Sequence, residues 1–186
     1  MHTTSNAVKQ NIFLNKSLGQ QLLIILSAAL VLALASQISI PLTPVPLTFQ
    51  SATVILIGMT LGARNATAAI LTYLIAGFSG IPIFADFSGG AHYLASPTTG
   101  YLIGFLPAAF VAGYLAQKGF ARNFFSSFLI ACLAASIIFA CGLTVLAKLI
   151  GWNAAVTFGL MPFIYSEIIK LALVALFVPY IWRKKS

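Results

Sequence analysis

From residue 22 to residue 182 the chain passes through one apolar stretch after another, each closed by a proline, a glycine or a lone basic residue. A soluble domain covers its surface with roughly 25% charged residues. Here 6% of 186 residues are charged and 60% are hydrophobic, so the chain has almost nothing with which to face water. It reads as a polytopic membrane protein, and the number of spans follows from where the apolar runs break.

Six runs are separable: residues 22–40, ending at Pro41; 48–61, closed by Gly62 and Arg64; 66–84, interrupted by G-F-S-G-I-P; 100–115; 125–150; and 158–182. Prolines and glycines at these points stop or bend helices. The expected fold is an all-α integral membrane protein with six transmembrane helices. Its parts are an N-terminal segment, 1–21, a six-helix membrane domain, 22–182, and a basic C-terminal tail, 183–186. The polar N-terminal stretch leads into membrane rather than a cleavage site and soluble domain, so the first run is read as a retained span.

Orientation follows from the positive charges. With six spans both termini share a face with Arg64, Lys118 and Arg122, and the tails add Lys9, Lys16, Arg183, Lys184 and Lys185. That face carries eight of the ten lysines and arginines, the remaining two being Lys148 and Lys170. Cytoplasmic loops hold such an excess, so both termini are expected in the cytoplasm and the protein in the cytoplasmic (inner) membrane. The net charge of +8 forms no basic patch with interleaved aromatics, which argues against nucleic acid as a partner. Cys132 and Cys141 lie nine residues apart in one run, about 13.5 Å along a helix, too far for a disulfide; both read as small buried hydrophobes. The sequence offers no metal-ligand cluster.

Chemistry is concentrated in three places. The outer loop P-L-T-P-V-P-L-T-F-Q, residues 41–50, has three prolines that forbid regular helix. The outer loop of residues 84–101 crowds Asp86, Ser88, His92, Tyr93, Ser96, Thr98 and Thr99 around Gly89 and Gly90, which let the backbone fold back closely. Phe84, Phe87 and Tyr93 there serve either as interfacial anchors or as a stacking surface for a flat ligand. The last run holds Glu167 and Lys170, three residues apart and so on one side of a helix. A carboxylate there costs a few kcal/mol or more unless it faces a cavity or a partner. A helix starting near 154–158 puts Glu167 about 14–20 Å into the membrane; a start near Pro162 makes it shallower. Three roles stay open for the pair: a ligand site, mutual neutralisation for folding, or a proton relay. As a ligand site it suits an amphipathic small molecule, the lysine pairing an anion and the glutamate accepting N–H groups.

Taken in order, P-L-T-P-V-P-L-T-F-Q, L-G-A-R, G-I-P-I-F-A, G-G-A-H-Y-L, S-P-T-T-G-Y-L-I-G-F and E-I-I-K resemble the BioY family across nearly the whole chain. BioY proteins are the biotin-binding S components of energy-coupling factor (ECF) transporters. The resemblance implies capture of biotin from outside and its uptake, with Glu167, Lys170, Asp86, Gly89, Gly90, Tyr93 and Thr98 as substrate-binding positions. Biotin is then the transported ligand, and nothing is bound as a cofactor. The family commonly reads Gly-Asp-Leu-Ile-Lys where this chain has Ser166-Glu167-Ile168-Ile169-Lys170, a carboxylate longer by one methylene; Ser96 and Thr99 also stand where glycine is usual.

The resemblance further implies a transmembrane coupling subunit and cytoplasmic ATPases as partners; the apolar runs imply membrane lipid, and a homo-oligomer stays open. The chain contains no G-x-x-x-x-G-K-[ST], so ATP is used only by the partner subunits. Ala29 and Ala33, small residues four apart on the first helix, fit the docking patch of S components. Competing functions are a stand-alone biotin transporter acting without ATPases, a membrane enzyme, and an assembly protein. A missing nucleophile motif and metal cluster count against the enzyme, and the elaborate outer loops count against the assembly protein.

Overall fold

The computed structural model describes residues 17–183, so Lys9, Lys16, Lys184 and Lys185 lie outside the described residues. The first helix, α1 (Leu18–Ser36), begins four residues before the apolar run because Ser17 and Gln20 close a capping box: Gln20 N donates to Ser17 Oγ and Ser17 N to Gln20 Oε1, each at 3.3 Å. Ala28, Leu32, Ala33, Ala35 and Ser36 of α1 are buried, whereas Leu22, Leu23, Leu26, Leu30 and Leu34 are exposed on the surface that lipid would cover.

The Pro-rich loop is more regular than expected. Strand β1 (Ser39–Ile40) pairs antiparallel with β2 (Leu47–Thr48), Ser39 opposite Thr48, which makes a small hairpin in a protein expected to be all-helical. Prolines 41, 44 and 46 deny the segment between them to helix, and the extended backbone they favour feeds the short ladder.

Helix α2 (Gln50–Phe78) joins two of the expected segments and is broken at Gly62, whose φ of +81° and ψ of 168° are not helical. The side chain of Gln50 donates through Nε2 to Tyr73 Oη at 2.7 Å. In an unbroken helix those residues would stand about 34 Å apart, so the chain folds back on itself at Gly62. Only glycine suits that position: its φ is left-handed, and a Cβ would lie 2.4 Å from the Gln117 amide nitrogen. Gln117 Oε1 in turn accepts from Ala63 N at 3.2 Å, satisfying a donor that the helix start would leave orphaned. The second limb ends at Phe78, earlier than residue 84, because Ser79 and Gly80 turn the chain out into a loop with short helical turns at Ala85–Phe87 and Ala91–Ala95.

Helix α3 (Thr99–Gln117) packs between α2 and α4 (Phe124–Ile150). Its small residues make this possible: Gly58 meets the backbone of Ala109, Gly113 lies against the backbone at Gly62 and Ala63, and Gly100 and Gly104 lie against Cys141 and Ile138. Small residues four apart admit such close approach in lipid, where packing rather than hydrophobicity holds helices together. Cys132 and Cys141 on α4 are free thiols, half-buried rather than buried.

The last run is not one helix. A short α5 (Trp152–Gly159) and a turn at Met161–Phe163 precede α6 (Ile164–Arg183), with Pro162 at the junction. Glu167 therefore stands in the first turn of α6. Among the described residues, five helical stretches are long and apolar enough to cross a membrane: α1, α2, α3, α4, and Trp152–Trp182 counted as one.

Candidate functional site

A partly open cavity lies where the hairpin, the start of α2, the 79–98 loop, α3, α4 and the start of α6 converge. Its walls are mostly apolar: Val45 and Pro46 from the hairpin, Phe84 from the loop, Leu102 and Phe105 from α3, Ile138 and Phe139 from α4, and Phe163. The polar groups are few, namely Thr48, Gln50, Ser51, Tyr93, Thr98, Tyr101, Glu167 and Lys170. This mixture of apolar walls and a few polar groups suits a small amphipathic ligand.

The charged pair is built in the first two turns of α6, and each residue is 5% exposed. Lys170 Nζ lies 2.5 Å from Glu167 Oε2, 2.9 Å from Ser51 Oγ and 3.0 Å from the Thr48 carbonyl. An ammonium has three hydrogens, and all three are used. Glu167 Oε2 also accepts from Ser51 Oγ at 3.0 Å. Its other oxygen, Oε1, is buried and has no hydrogen-bond partner among the described residues. A buried carboxylate oxygen without a donor is an expensive omission. Glu167 itself is among the residues that line the cavity.

The 79–98 loop is fastened by hydrogen bonds between side chains of other elements and its own main chain. Ser36 Oγ and Tyr73 Oη both donate to the Ile83 carbonyl, at 2.6 and 3.1 Å, and Gln37 donates to the Phe84 carbonyl at 3.0 Å while accepting from Phe87 N at 3.0 Å. A relay from Thr48 Oγ1 to Gln50 Oε1 (2.9 Å), then Gln50 Nε2 to Tyr73 Oη, links the hairpin to the same carbonyl. Phe84 is thereby held among Tyr73, Phe78 and Tyr93, ring centroids 5.4, 5.3 and 5.1 Å away. On the far wall, Tyr101 Oη donates to the Gly159 carbonyl at 2.8 Å and holds the end of α5 against α3.

Of the residues singled out in the sequence, Glu167, Lys170, Tyr93 and Thr98 line the cavity; Asp86, Gly89 and Gly90 do not. Asp86 accepts from Ser39 Oγ at 2.7 Å on the outer surface. Gly90 N donates to the Gly77 carbonyl at 2.7 Å, and Gly89 is so close to the Ile81 carbonyl that a Cβ would lie 2.3 Å from it. These two glycines dock the loop onto the end of α2. Phe87 is 74% exposed, whereas Phe84 is 1% exposed and forms part of the wall. On α1, Ala33 is buried and Ala29 half-buried, both packed against the core rather than displayed. Sequence reasoning missed Ser51, Thr48, Tyr101 and Phe163. Nothing local distinguishes Ser51 from other serines, because its partners lie 116 and 119 residues away.

The sequence profile of the BioY family matches residues 6–186. The chain is 43% identical over 141 residues to the biotin transporter BioY of Thermotoga maritima, covering 75% of this chain and 82% of that one. It is 42% identical over 147 residues to the probable biotin transporter BioY of Pyrococcus horikoshii, covering 77% and 86%. Its fold is similar to the crystal structure of the S component for biotin from an ECF-type ABC transporter, with a TM-score of 0.75 over 90% of this chain and 95% of that one, at 21% sequence identity.

Proposed function

The chain belongs to the BioY family, and we propose that it captures biotin at the outer face of the membrane in the cavity above Glu167 and Lys170. It is a multi-pass membrane protein and a biotin transporter of the S-component type, carrying its ligand rather than transforming it. The observation that carries the site assignment is the buried, unpartnered Oε1 of Glu167, a residue that lines a mostly apolar cavity. Biotin supplies what that wall lacks: two ureido N–H groups, an apolar bicycle and a flexible acid tail. Lys170 is occupied by three acceptors, so its part is to hold Glu167 and the Thr48 carbonyl in place. Biotin titration of the purified protein is expected to give saturable one-site binding that is lost when Phe105, 4% exposed and pointing into the cavity wall, is replaced by tryptophan. Binding at full strength in that variant would move the site elsewhere.

The finer topology is part of the same proposal: six crossings, with the reversal at Gly62 on the cytoplasmic side and both termini there. Arg64 beside that reversal, and Lys118 and Arg122 between α3 and α4, support this orientation. A cysteine placed at exposed His92 should label from outside, and one at exposed Lys118 only from inside, in a background without Cys132 and Cys141. Labelling of both from one side would overturn it.

Energy for uptake is assigned to partners, a transmembrane coupling subunit and cytoplasmic ATPases, and co-purification of ATPases with the intact protein tests this against stand-alone transport. The docking surface is less simply read. Ala33 is buried against the core, so Ala33→Trp is expected to lower the melting temperature of the isolated protein through overpacking, which costs about 1–3 kcal/mol. A variant that melts like the parent yet fails in uptake would restore Ala33 to the docking surface.

A further inference from the structure

Ser51 sits in the first turn of α2, far in sequence from the pair it touches. Its Oγ accepts from Lys170 Nζ at 2.9 Å and donates its single hydrogen to Glu167 Oε2 at 3.0 Å. The two oxygens of a glutamate are chemically equivalent, and rotation about the last side-chain bond is soft. With Lys170 as sole partner the carboxylate could turn and offer both oxygens to the ammonium. Ser51 removes that freedom: it binds the same oxygen as Lys170 and leaves Oε1 as the unpaired one. Lys170, saturated by Glu167, Ser51 and Thr48, keeps no hydrogen for Oε1.

We propose that Ser51 is a positioning residue for ligand specificity, the hydroxyl that fixes Glu167 so that Oε1 alone is presented as an acceptor for a ligand N–H. This rests on the reading of Glu167 as part of the biotin site. The polarity of the site follows. A ligand of biotin's shape with no N–H at that point leaves Oε1 buried and unpaired, the arrangement by which polar sites reject analogues far more strongly than apolar sites do. Without the serine, the carboxylate can turn toward Lys170, the fixed acceptor is lost, and discrimination relaxes with it.

The test uses the full-length purified protein titrated with biotin and with the two isomers of biotin methylated on one ureido nitrogen. In the parent, at least one isomer should bind 100-fold or more weakly than biotin. Ser51→Ala should bind biotin about tenfold more weakly while the rejected isomer changes little, so the ratio falls by about the same factor; a charge-assisted hydrogen bond is worth about that much. Ser51→Thr, which keeps the hydroxyl, should restore both the affinity and the ratio. Equal loss for biotin and isomers in Ser51→Ala, or no change at all, overturns the proposal. Glu167→Gln separates the two layers. If it binds biotin like the parent, the site reading falls and this inference with it; if it weakens binding while Ser51→Ala does not, only the role of Ser51 falls. Should Ser51→Ala not fold, the ratio in Ser51→Cys, a poorer donor of similar size, decides in the same way.

Discussion

Replacing Lys170 by methionine is expected to abolish biotin binding and to destabilise the protein sharply. The methionine leaves the carboxylate of Glu167 buried with only Ser51 for a partner, and it frees the Thr48 carbonyl as well. Breaking a buried ion pair from one side costs about 3–5 kcal/mol, because the charge that remains has lost its compensation. Glu167→Gln should be milder in stability and should weaken biotin binding by roughly 10- to 150-fold, the equivalent of about 1.5–3 kcal/mol for one charge-assisted hydrogen bond. The double variant, Glu167→Gln with Lys170→Met, separates scaffold from site. Neither residue is then a stranded charge, so its melting temperature should recover toward the parent's while biotin binding stays weak. Thermal unfolding and biotin titration of the three variants supply both numbers. A double variant that binds biotin as tightly as the parent would make the pair structural.

The second large effect is expected far from the ligand, at Gly113. A Cβ there would lie 2.5 Å from Ala63 N, 2.6 Å from Gly62 C and 2.8 Å from Ala63 Cα. All three are backbone atoms at the reversal of α2, so no side chain can swing aside. Overpacking of this kind costs about 1–3 kcal/mol. Gly113→Ala should lower the melting temperature, and Gly113→Leu should yield little folded protein. The same helix carries Tyr101, Leu102 and Phe105 into the cavity wall, so what stably folded Gly113→Ala remains should also bind biotin more weakly. Parent-like melting of Gly113→Leu would show that α3 does not rest on the reversal.

The two predictions draw on different kinds of information. Gly62 with Arg64 reads from the sequence as a place where a helix must stop, and the structure places a left-handed backbone there. That two limbs return side by side emerges only from the Gln50–Tyr73 hydrogen bond and the seat of Gly113 against Ala63. The start of the last helix shows the same division. Pro162 offers itself as a boundary, but the apolar run continues through it, and hydropathy cannot separate a membrane helix from a short helix and turn leading into one. The loop glycines 89 and 90 signal unusual backbone to a reader of sequence; whether that backbone faces a ligand or the end of α2 depends on what lies beneath it, here the carbonyls of Gly77 and Ile81.

By itself, then, the sequence determined the solvent this protein lives in, the helix break at Gly62, and the presence of an acid and a base on one side of the last helix. These are properties of local composition and of the 3.6-residue period, and water or lipid enforces them on each segment separately. The tertiary structure alone decided which oxygen of Glu167 is paired and which is free, that Lys170 is saturated, and that Ser51 and the Thr48 carbonyl complete the cluster. Hydrogen bonds are satisfied within a few ångströms of space whatever the distance along the chain, and residues 116 positions apart acquire one another as partners only when the helices that carry them have packed.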